Sequence, residues 1–317
     1  MPKLSLIIPV YNTEKYLSEC LNSCINQTLH DIEIICIDDC STDASKIILD
    51  EYQKKDARIK IICHKENLKQ GTARNTGVRV ATGKYIWFID SDDYIDINAC
   101  QILYDTAESN NVEILCFNGI VFKDLNGRKF IESGYYTDWP KNINLSLLKA
   151  GTKVKGYFSV SPCMYITRKD FLEKFTFRTG CYYEDTDFTP ILFASSSCLR
   201  CINYTAYYRR ITPGSTTQTP LSEKKIHDKI EVVLALQDFI KNYKITHKHF
   251  LYQFFIDYLI YVLHEIKSNK DNLTNNDSFD NFIKKANFTI AKRKTRNVFL
   301  FPFKIIIKIC KIITGEI

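Results

Sequence analysis

The chain has 317 residues, 45% of them apolar and 25% charged, which excludes a disordered or fibrous chain and suits a soluble protein with one large core or two. The net charge of +7 is held unevenly: residues 284–317 carry nine Lys or Arg and one Glu, while the other 283 residues carry 34 basic and 35 acidic side chains. A near-neutral body excludes a broad nucleic-acid-binding surface, and the basic tail calls for a local anionic partner.

Met1-Pro2-Lys3 leads straight into an apolar strand with no small-residue cleavage site behind it, so no signal peptide is expected and the cytoplasm is the expected compartment. Leu4 to Pro9 reads as a buried strand. Thr13 is placed to cap a helix running to about Gln27, with Leu17, Leu21 and Cys24 on one face. Ile32 to Ile37 is a second strand, and Ser41 or Thr42 starts a helix marked by Ile47, Ile48 and Tyr52. A third strand runs from Ile59 to Cys63, a helix from about Thr72 to Ala81, and a fourth strand from Tyr85 to Ile89. Helix is expected over Ile97 to Ala107 and strand over Val112 to Phe117. From Phe122 to Arg168 the pattern is irregular, with Ser159 to Ile166 the best strand candidate. Glu184 to Ala194 reads as helix and Arg200 to Arg209 as strand. Beyond Pro220, Ser222 to Tyr243 and His249 to Ile266 read as helices, and Asn269 to Asp280 as a polar loop. There is no internal repeat. Twelve cysteines are scattered through the chain and read as small buried apolar residues. Cys198-x-x-Cys201 has metal or redox spacing, but it lacks a second pair and sits in an apolar segment.

Strands joined by short helical crossovers make an α/β fold with a mostly parallel sheet covered on both faces, and a helical extension follows. Ligands of such sheets bind beyond the C-terminal ends of the strands, where Asp38-Asp39, His64 and Asp90-Ser91-Asp92 all fall. No Gly-rich dinucleotide fingerprint and no GxxxxGK loop follows the first strand, where Pro9-Val10-Tyr11-Asn12 stands instead. Hydride transfer and ordinary ATP hydrolysis are therefore disfavoured.

The segment YIWFIDSDDY, Tyr85 to Tyr94, ends an apolar strand in three carboxylates within four positions. Such mutual repulsion is relieved when Mg²⁺ or Mn²⁺ sits between the acids and an anionic substrate; Asp90 and Asp92, two apart on extended chain, point the same way. Three surface caps with no metal is the plainer alternative. Asp38 and Asp39 are placed to accept from a base or ribose, or else to serve as turn and cap residues. Arg74, in Gly71-Thr72-Ala73-Arg74-Asn75-Thr76-Gly77, faces phosphate or packs under a base, or else is a surface Arg. Gly77 inside a helix implies close approach by the sheet or a ligand. Glu184-Asp185-Thr186-Asp187 supplies a general base, or else an acidic first turn favoured by the helix dipole. Arg209, Arg210 and the hydroxyls of the loop after them are placed to steady departing phosphates, or else form a plain basic loop.

Together IIPVYNTEKYL from Ile7, IDDCSTD from Ile37, GTARNTG from Gly71, FIDSDD from Phe88 and YEDTDF from Tyr183 resemble the family 2 glycosyltransferases of the GT-A fold, over roughly residues 3 to 215. The resemblance implies a nucleotide-diphospho-sugar transferase, inverting and metal-dependent, with a UDP-sugar as donor. It implies Pro9 and Tyr11 around the base and Asp39 recognising it with Asp38 beside it; Arg74, Ser91 and Arg209 are the further donor contacts expected from the segments above. It implies Asp92 and Asp90 as the DxD ligands of Mn²⁺ or Mg²⁺, Asp185 as catalytic base and Glu184 as its acceptor-binding neighbour. Lys69-Gln70 departs from the small residues common there. The expected division is a catalytic domain over 1–217, with nucleotide-sugar binding in about 1–118 and the acceptor side in about 119–217, then a helical region over 218–317. The expected acceptor is a glycan or lipid-linked glycan of cell-surface polysaccharide or lipooligosaccharide synthesis. A non-catalytic carbohydrate-binding or scaffold protein on the same fold, and a sugar-nucleotide pyrophosphorylase, are the competing readings; the second would want a Gly- and Lys-rich loop after the first strand.

In the tail, VFLFPFKIIIKICKII from Val298 to Ile313 sets Lys304, Lys308 and Lys311 along one side of a helix. Its apolar runs are far short of the roughly 20 residues that span a bilayer. An interfacial anchor on the anionic cytoplasmic face of the inner membrane is expected, against the alternative of a helix packed on the body.

Overall fold

The computed structural model describes residues 1–125, 128–135, 159–212, 214, 219–269 and 282. The apolar run at the start of the chain becomes β1 (Leu4–Val10), buried along its whole length, and its neighbours assemble around it in the order a parallel crossover topology requires. After α1 (Glu14–Ile25), β2 (Ile32–Asp38) pairs parallel to β1. After α2 (Ser45–Lys55), β3 (Ile59–Cys63) pairs parallel to β2. After α3 (Lys69–Val80), β4 (Tyr85–Phe88) returns to the other side of β1, again parallel.

Pro9 is tolerated inside this sheet because of register. Ile7 O accepts from Ile89 N, so the odd residues of β1 face β4, whose ladder ends at Ile7↔Phe88. Pro9 faces the same way one step later, where no ladder partner waits for the N–H it lacks.

The sheet continues β3-β2-β1-β4-β8-β6-β9-β5, with β7 beside β6. Here α4 (Ala99–Ser109) leads to β6 (Ile114–Leu125), and β9 (Leu199–Arg210) pairs parallel to β6. Between β4 and β6 lies β8 (Tyr165–Arg168), antiparallel to both. The expected mostly parallel sheet is therefore present, with antiparallel insertions. Two short strands escaped the sequence pattern: β5 (Tyr94–Ile95), antiparallel to β9, and β7 (Arg128–Tyr135), antiparallel to β6. The expected strand over Ser159 to Ile166 starts only at Tyr165. Pro162 lacks an N–H for a ladder, and Ser161 Oγ caps a 3₁₀ turn over Pro162–Met164. The expected β6 is also longer, extending from Phe117 to Leu125 because it pairs there with β7 and β9.

Helix capping differs from the expectation for one reason. Thr13 stands at the N-cap position of α1, as expected, but its side chain makes no cap bond, and neither Ser41 nor Thr42 starts α2. The loops after β1 and β2 instead cap each other's helices: Thr13 N donates to Ser45 Oγ, Glu14 N to Asp43 Oδ2, and Ala44 N to Glu14 Oε2. Asn12 Oδ1 takes Thr42 N at 2.8 Å. Orphan helix N–H groups are thus satisfied across the sheet edge, which ties the two loops into one rim.

The C-terminal helices α7 (Glu223–Asn242) and α8 (Lys248–Ser268) share a separate apolar cluster that includes Val233, Leu236, Leu251 and Leu259. That cluster reaches Ala194 at the end of α6 (Glu184–Ser195), which follows the single turn α5 (Lys169–Leu172). No helix among the described residues is long and apolar enough to cross a membrane. The expected tail anchor over 284–317 and most of the polar loop before it lie outside the described residues.

Helix α3 is seated by two glycines. A Cβ on Gly77 would stand 2.3 Å from Ile7 Cγ2, and one on Gly71 would stand 2.4 Å from Arg178 O and 2.9 Å from Glu184 Cγ. The close approach expected at Gly77 is therefore made by the sheet. Over-packing costs about 1–3 kcal/mol, against the roughly 1 kcal/mol of helix propensity that Ala contributes. Gly77→Ala is expected to lower the free energy of unfolding by about 1 kcal/mol; a urea titration showing a gain in stability would contradict this packing.

Candidate active site

The C-terminal ends of β1, β2, β3 and β4 open on one crevice, and α6 meets it through α3. The turn after β4 divides its carboxylates by direction. Asp93 turns inward: Oδ2 accepts from the Tyr207 hydroxyl at 2.7 Å and Oδ1 from Arg210 N at 2.6 Å. Burial, and then the Asp92 and Asp90 charges, push its carboxyl well above the ordinary range. It fastens the turn to β9, a structural job rather than a ligand's.

Asp90 and Asp92 remain toward the crevice. Among the described residues, bonds from other residues reach one oxygen of each: Asp90 Oδ1 accepts from Gln70 Nε2 at 2.6 Å and Arg74 at 3.0 Å, and Asp92 Oδ2 from Thr212 Oγ1 at 2.7 Å. Burial, then the Asp90 charge, raise Asp92 above its ordinary value. Two neighbouring carboxylates, each with an oxygen to offer, fit a divalent cation completed by substrate phosphate and water. No cluster of three or more His, Cys, Asp or Glu among the described residues forms a cage without a substrate. Ser91 is buried, its Oγ accepting from Thr13 Oγ1 at 3.0 Å, which ties the turn to the rim after β1.

Arg74 has a different place from the one its motif suggested. It is 2% exposed, and its two terminal nitrogens reach in different directions: NH1 donates to Glu184 Oε1 at 2.6 Å and NH2 to Asp90 Oδ1 at 3.0 Å. Phe177 lies under the guanidinium, 5.4 Å from its ring centroid. Burial works against the charge, but Asp90 and then Glu184 outweigh it and raise the guanidinium above its usual value. Arg74 is thus a bridge between the β4 turn and the start of α6, turned away from solvent.

At that start, Tyr183 takes the left-handed conformation at φ 61° and aims Glu184, Asp185 and Asp187 into the first turn of α6. The acids divide again. Glu184 faces Arg74, and Asp187 Oδ2 accepts from Arg178 Nε at 2.9 Å. Among the described residues Asp185 has no cationic hydrogen-bond partner; its Oδ1 accepts from the Thr186 hydroxyl at 3.1 Å. Burial and the adjacent Glu184 charge push it up to about 7, against the pull of Arg74. A carboxyl held near neutral pH beside an acidic crevice has the affinity for protons that a general base needs.

The residues expected around a base divide between wall and opening. Tyr11 is exposed at 46%, and Pro9 is buried in β1. Asp38 Oδ1 closes a turn on Ser41 N at 3.1 Å. Asp39 is engaged by protein groups: Oδ1 takes Leu68 N at 2.9 Å and lies 2.7 Å from His64 Nδ1, while Oδ2 takes Lys69 N at 2.8 Å. His64, expected in the crevice, backs Asp39, with Nε2 3.0 Å from Thr76 Oγ1. Arg210 is withdrawn from any phosphate: NH1 pairs with Asp124 at 2.8 Å, NH2 with Glu19, and Nε with Asp92 O. Arg209, half-buried on β9, lies near enough to Asp92 to lower it. Tyr207, Thr212 and the Arg178–Asp187 pair were not legible as site residues. Cys201 faces Cys116 in the β6–β9 register and is free, so the CxxC spacing carries no disulfide.

The model for glycosyl transferase family 2 matches residues 5–175. The putative glycosyltransferase EpsH of Bacillus subtilis is 42% identical over 159 residues, 49% of this chain and 45% of that protein. The poly(ribitol-phosphate) beta-glucosyltransferase of Bacillus spizizenii is 43% identical over 129 residues, 40% of this chain and 20% of that one. The chain thus spans less than half the length of either relative. Among solved structures, S. aureus TarS 1-349 in complex with UDP-GlcNAc superposes with a TM-score of 0.60 at 21% identity, covering 83% of this chain and 81% of that one. That likeness fixes the GT-A fold.

Removing one member of a buried ion pair costs about 3–5 kcal/mol. Arg74→Met leaves the buried Glu184 without its cation and Asp90 with Gln70 alone, and is expected to lower unfolding free energy by about that much in a denaturant titration. A loss below about 1 kcal/mol, the range of a surface pair, would contradict the bridge.

Proposed function

The chain belongs to glycosyl transferase family 2, and from that premise we propose that it moves a sugar from a UDP-sugar to a hydroxyl of a glycan or lipid-linked glycan, inverting the anomeric centre, in cell-surface polysaccharide or lipooligosaccharide synthesis. The observation that carries the reading is the Arg74 bridge, which joins the acidic turn after β4 to the carboxylates that open α6. Such a union suits a reaction that needs an anionic donor and a proton acceptor side by side. The UDP-GlcNAc of the TarS complex supports the donor class, and the name of the Bacillus spizizenii relative supports a surface-polymer acceptor. The catalytic domain is assigned to 1–217, and a separate region to the residues from 218 on, where α7 and α8 lie.

In this reading Tyr11 packs against the base and Asp39, with Asp38, shapes its pocket. Asp92 and Asp90 would hold Mn²⁺ or Mg²⁺, which supplies Lewis-acid neutralisation of charge on a departing diphosphate. Arg209 adds positive charge beside Asp92. Arg74 fixes Glu184 and Asp90 in place. Glu184 orients the acceptor, and Asp185 removes the acceptor hydroxyl's proton as its oxygen attacks the anomeric carbon opposite the diphosphate.

Asp185→Asn is expected to cut turnover by roughly 10²–10⁴ while UDP binding persists; near-normal turnover in a UDP-release assay would exclude Asp185 as the base. Because the base must be ionised, kcat/KM should rise with pH and level off above an apparent pKa of about 7. A flat profile from pH 5 to 9 (roughly the range accessible to such an assay) would contradict the assignment. Asp92→Ala should weaken UDP binding in the presence of Mn²⁺ but not in chelator, as read by calorimetry.

The nine cationic residues of 284–317 support a second proposal, a peripheral attachment to anionic lipid. Full-length chain should float with anionic vesicles and the 1–283 chain should not; equal flotation would reject the anchor.

A further inference from the structure

Asp39 stands just beyond the end of β2, and its N–H donates to Val10 O at 2.8 Å, beside the residue that leads into Tyr11. Its side chain is 4% exposed and takes three protein donors. Leu68 N and Lys69 N come from the start of α3, and the third donor is the ring of His64, the residue after β3. Oδ1 takes Leu68 N and His64. Oδ2 takes Lys69 N alone among the described residues, which leaves it an acceptor site.

The hydrogens behind Asp39 run in one direction. Arg79 only donates, and its NH2 meets Thr76 Oγ1 at 2.8 Å. That oxygen therefore accepts, and the hydroxyl's own hydrogen is left for His64 Nε2, 3.0 Å away. An imidazole that accepts at Nε2 carries its hydrogen on Nδ1, which lies 2.7 Å from Asp39 Oδ1. A carboxylate only accepts, so Nδ1–H is also what Asp39 requires. The His64 side chain is 9% exposed and is held at both nitrogens, so the ring cannot turn without breaking two bonds. Its bond is the shortest of the three on Asp39, and it ties the carboxylate through Thr76 to the body of α3.

We propose that His64, braced by Thr76 and Arg79, is a positioning residue that aims the open acceptor of Asp39 and so makes the pocket select uracil over cytosine. The inference rests on the donor reading above, in which Asp39 meets the base. Uracil carries a hydrogen on N3 and can give it to a fixed carboxylate. Cytosine presents a lone pair at N3, which the same carboxylate opposes. Burial sharpens the contrast, since an unpaired acceptor is more costly away from water. Without His64 the carboxylate can tilt on its two backbone donors, and a tilted acceptor tells the bases apart less well.

The test titrates the full chain with UDP and with CDP, both in Mn²⁺, by calorimetry; the two share ribose and diphosphate, so their ratio isolates the base. UDP should bind at least about tenfold tighter than CDP. His64→Ala should weaken UDP about five- to tenfold and CDP less than about twofold, so that the ratio collapses. His64→Asn, whose amide nitrogen can stand where Nδ1 stood, should hold UDP within about threefold of wild type. Thr76→Val keeps the side-chain shape, deletes the hydroxyl and should weaken UDP about two- to fivefold. A histidine-nitrogen NMR spectrum of the nucleotide-free chain, assigned against His64→Asn, should show the His64 hydrogen on Nδ1. An unchanged UDP-to-CDP ratio in a folded His64→Ala, an Asn variant no better than the Ala variant, full UDP affinity in Thr76→Val, or a ring hydrogen on Nε2 alone would each overturn the proposal. Wild-type chain that binds neither nucleotide would sink the donor reading and the base selection with it, whereas discrimination that survives His64→Ala would sink the role of His64 alone.

Discussion

One buried guanidinium holds the two acidic halves of this site in register. Arg74 spans from Asp90, on the turn after β4, to Glu184, at the start of α6. These carboxylates lie far apart in the chain and would repel each other across the crevice. A cation between them turns that repulsion into a fixed geometry, and burial makes the arrangement strict, since loss of Arg74 leaves the buried Glu184 charge without its cation. The bridge in turn depends on glycine. Only without side chains at Gly71 and Gly77 does α3 sit close enough to both α6 and β1 for Arg74 to reach.

The same logic divides the acidic residues into those that build and those that act. Asp93, Asp187 and Glu184 are each engaged by a fixed donor: Tyr207 and Arg210 N, Arg178, and Arg74 respectively. Among the described residues, Asp90 and Asp92 each keep one oxygen for a ligand, and Asp185 is held where it can take a proton. Charge density alone does not distinguish these two sets. What distinguishes them is which strand or helix lies behind each carboxylate, and that is set by β9 and α3.

Much of the fold was legible because the first half of the chain has clean periodicity. Four apolar runs with helical patterns between them specify β1 to β4 and their crossovers, and the acidic punctuation at their ends marks the crevice. Helix caps were less legible, since Thr13 and Ser41 have the right chemistry for local caps while the bonds that form, such as Glu14 N to Asp43, cross between loops. β5 and β7 were missed because one is only two residues long and the other is polar, so neither shows alternation. Arg74 was found as a site residue but not as a bridge. The spacing of Gly71, Arg74 and Gly77 at i, i+3, i+6 held the clue: small residues on one helical face on either side of an Arg imply that the Arg is buried. The roles of Tyr207 and Arg210 follow from pairing between distant strands, which local sequence does not encode.

The most direct test is a crystal structure of the chain grown with UDP and Mn²⁺. The account predicts the nucleotide beyond the ends of β1, β2 and β4, the ion at Asp92 and Asp90, and Arg74 still joining Asp90 to Glu184. A nucleotide lodged elsewhere, with the Asp92 carboxylate facing bulk solvent, would contradict it.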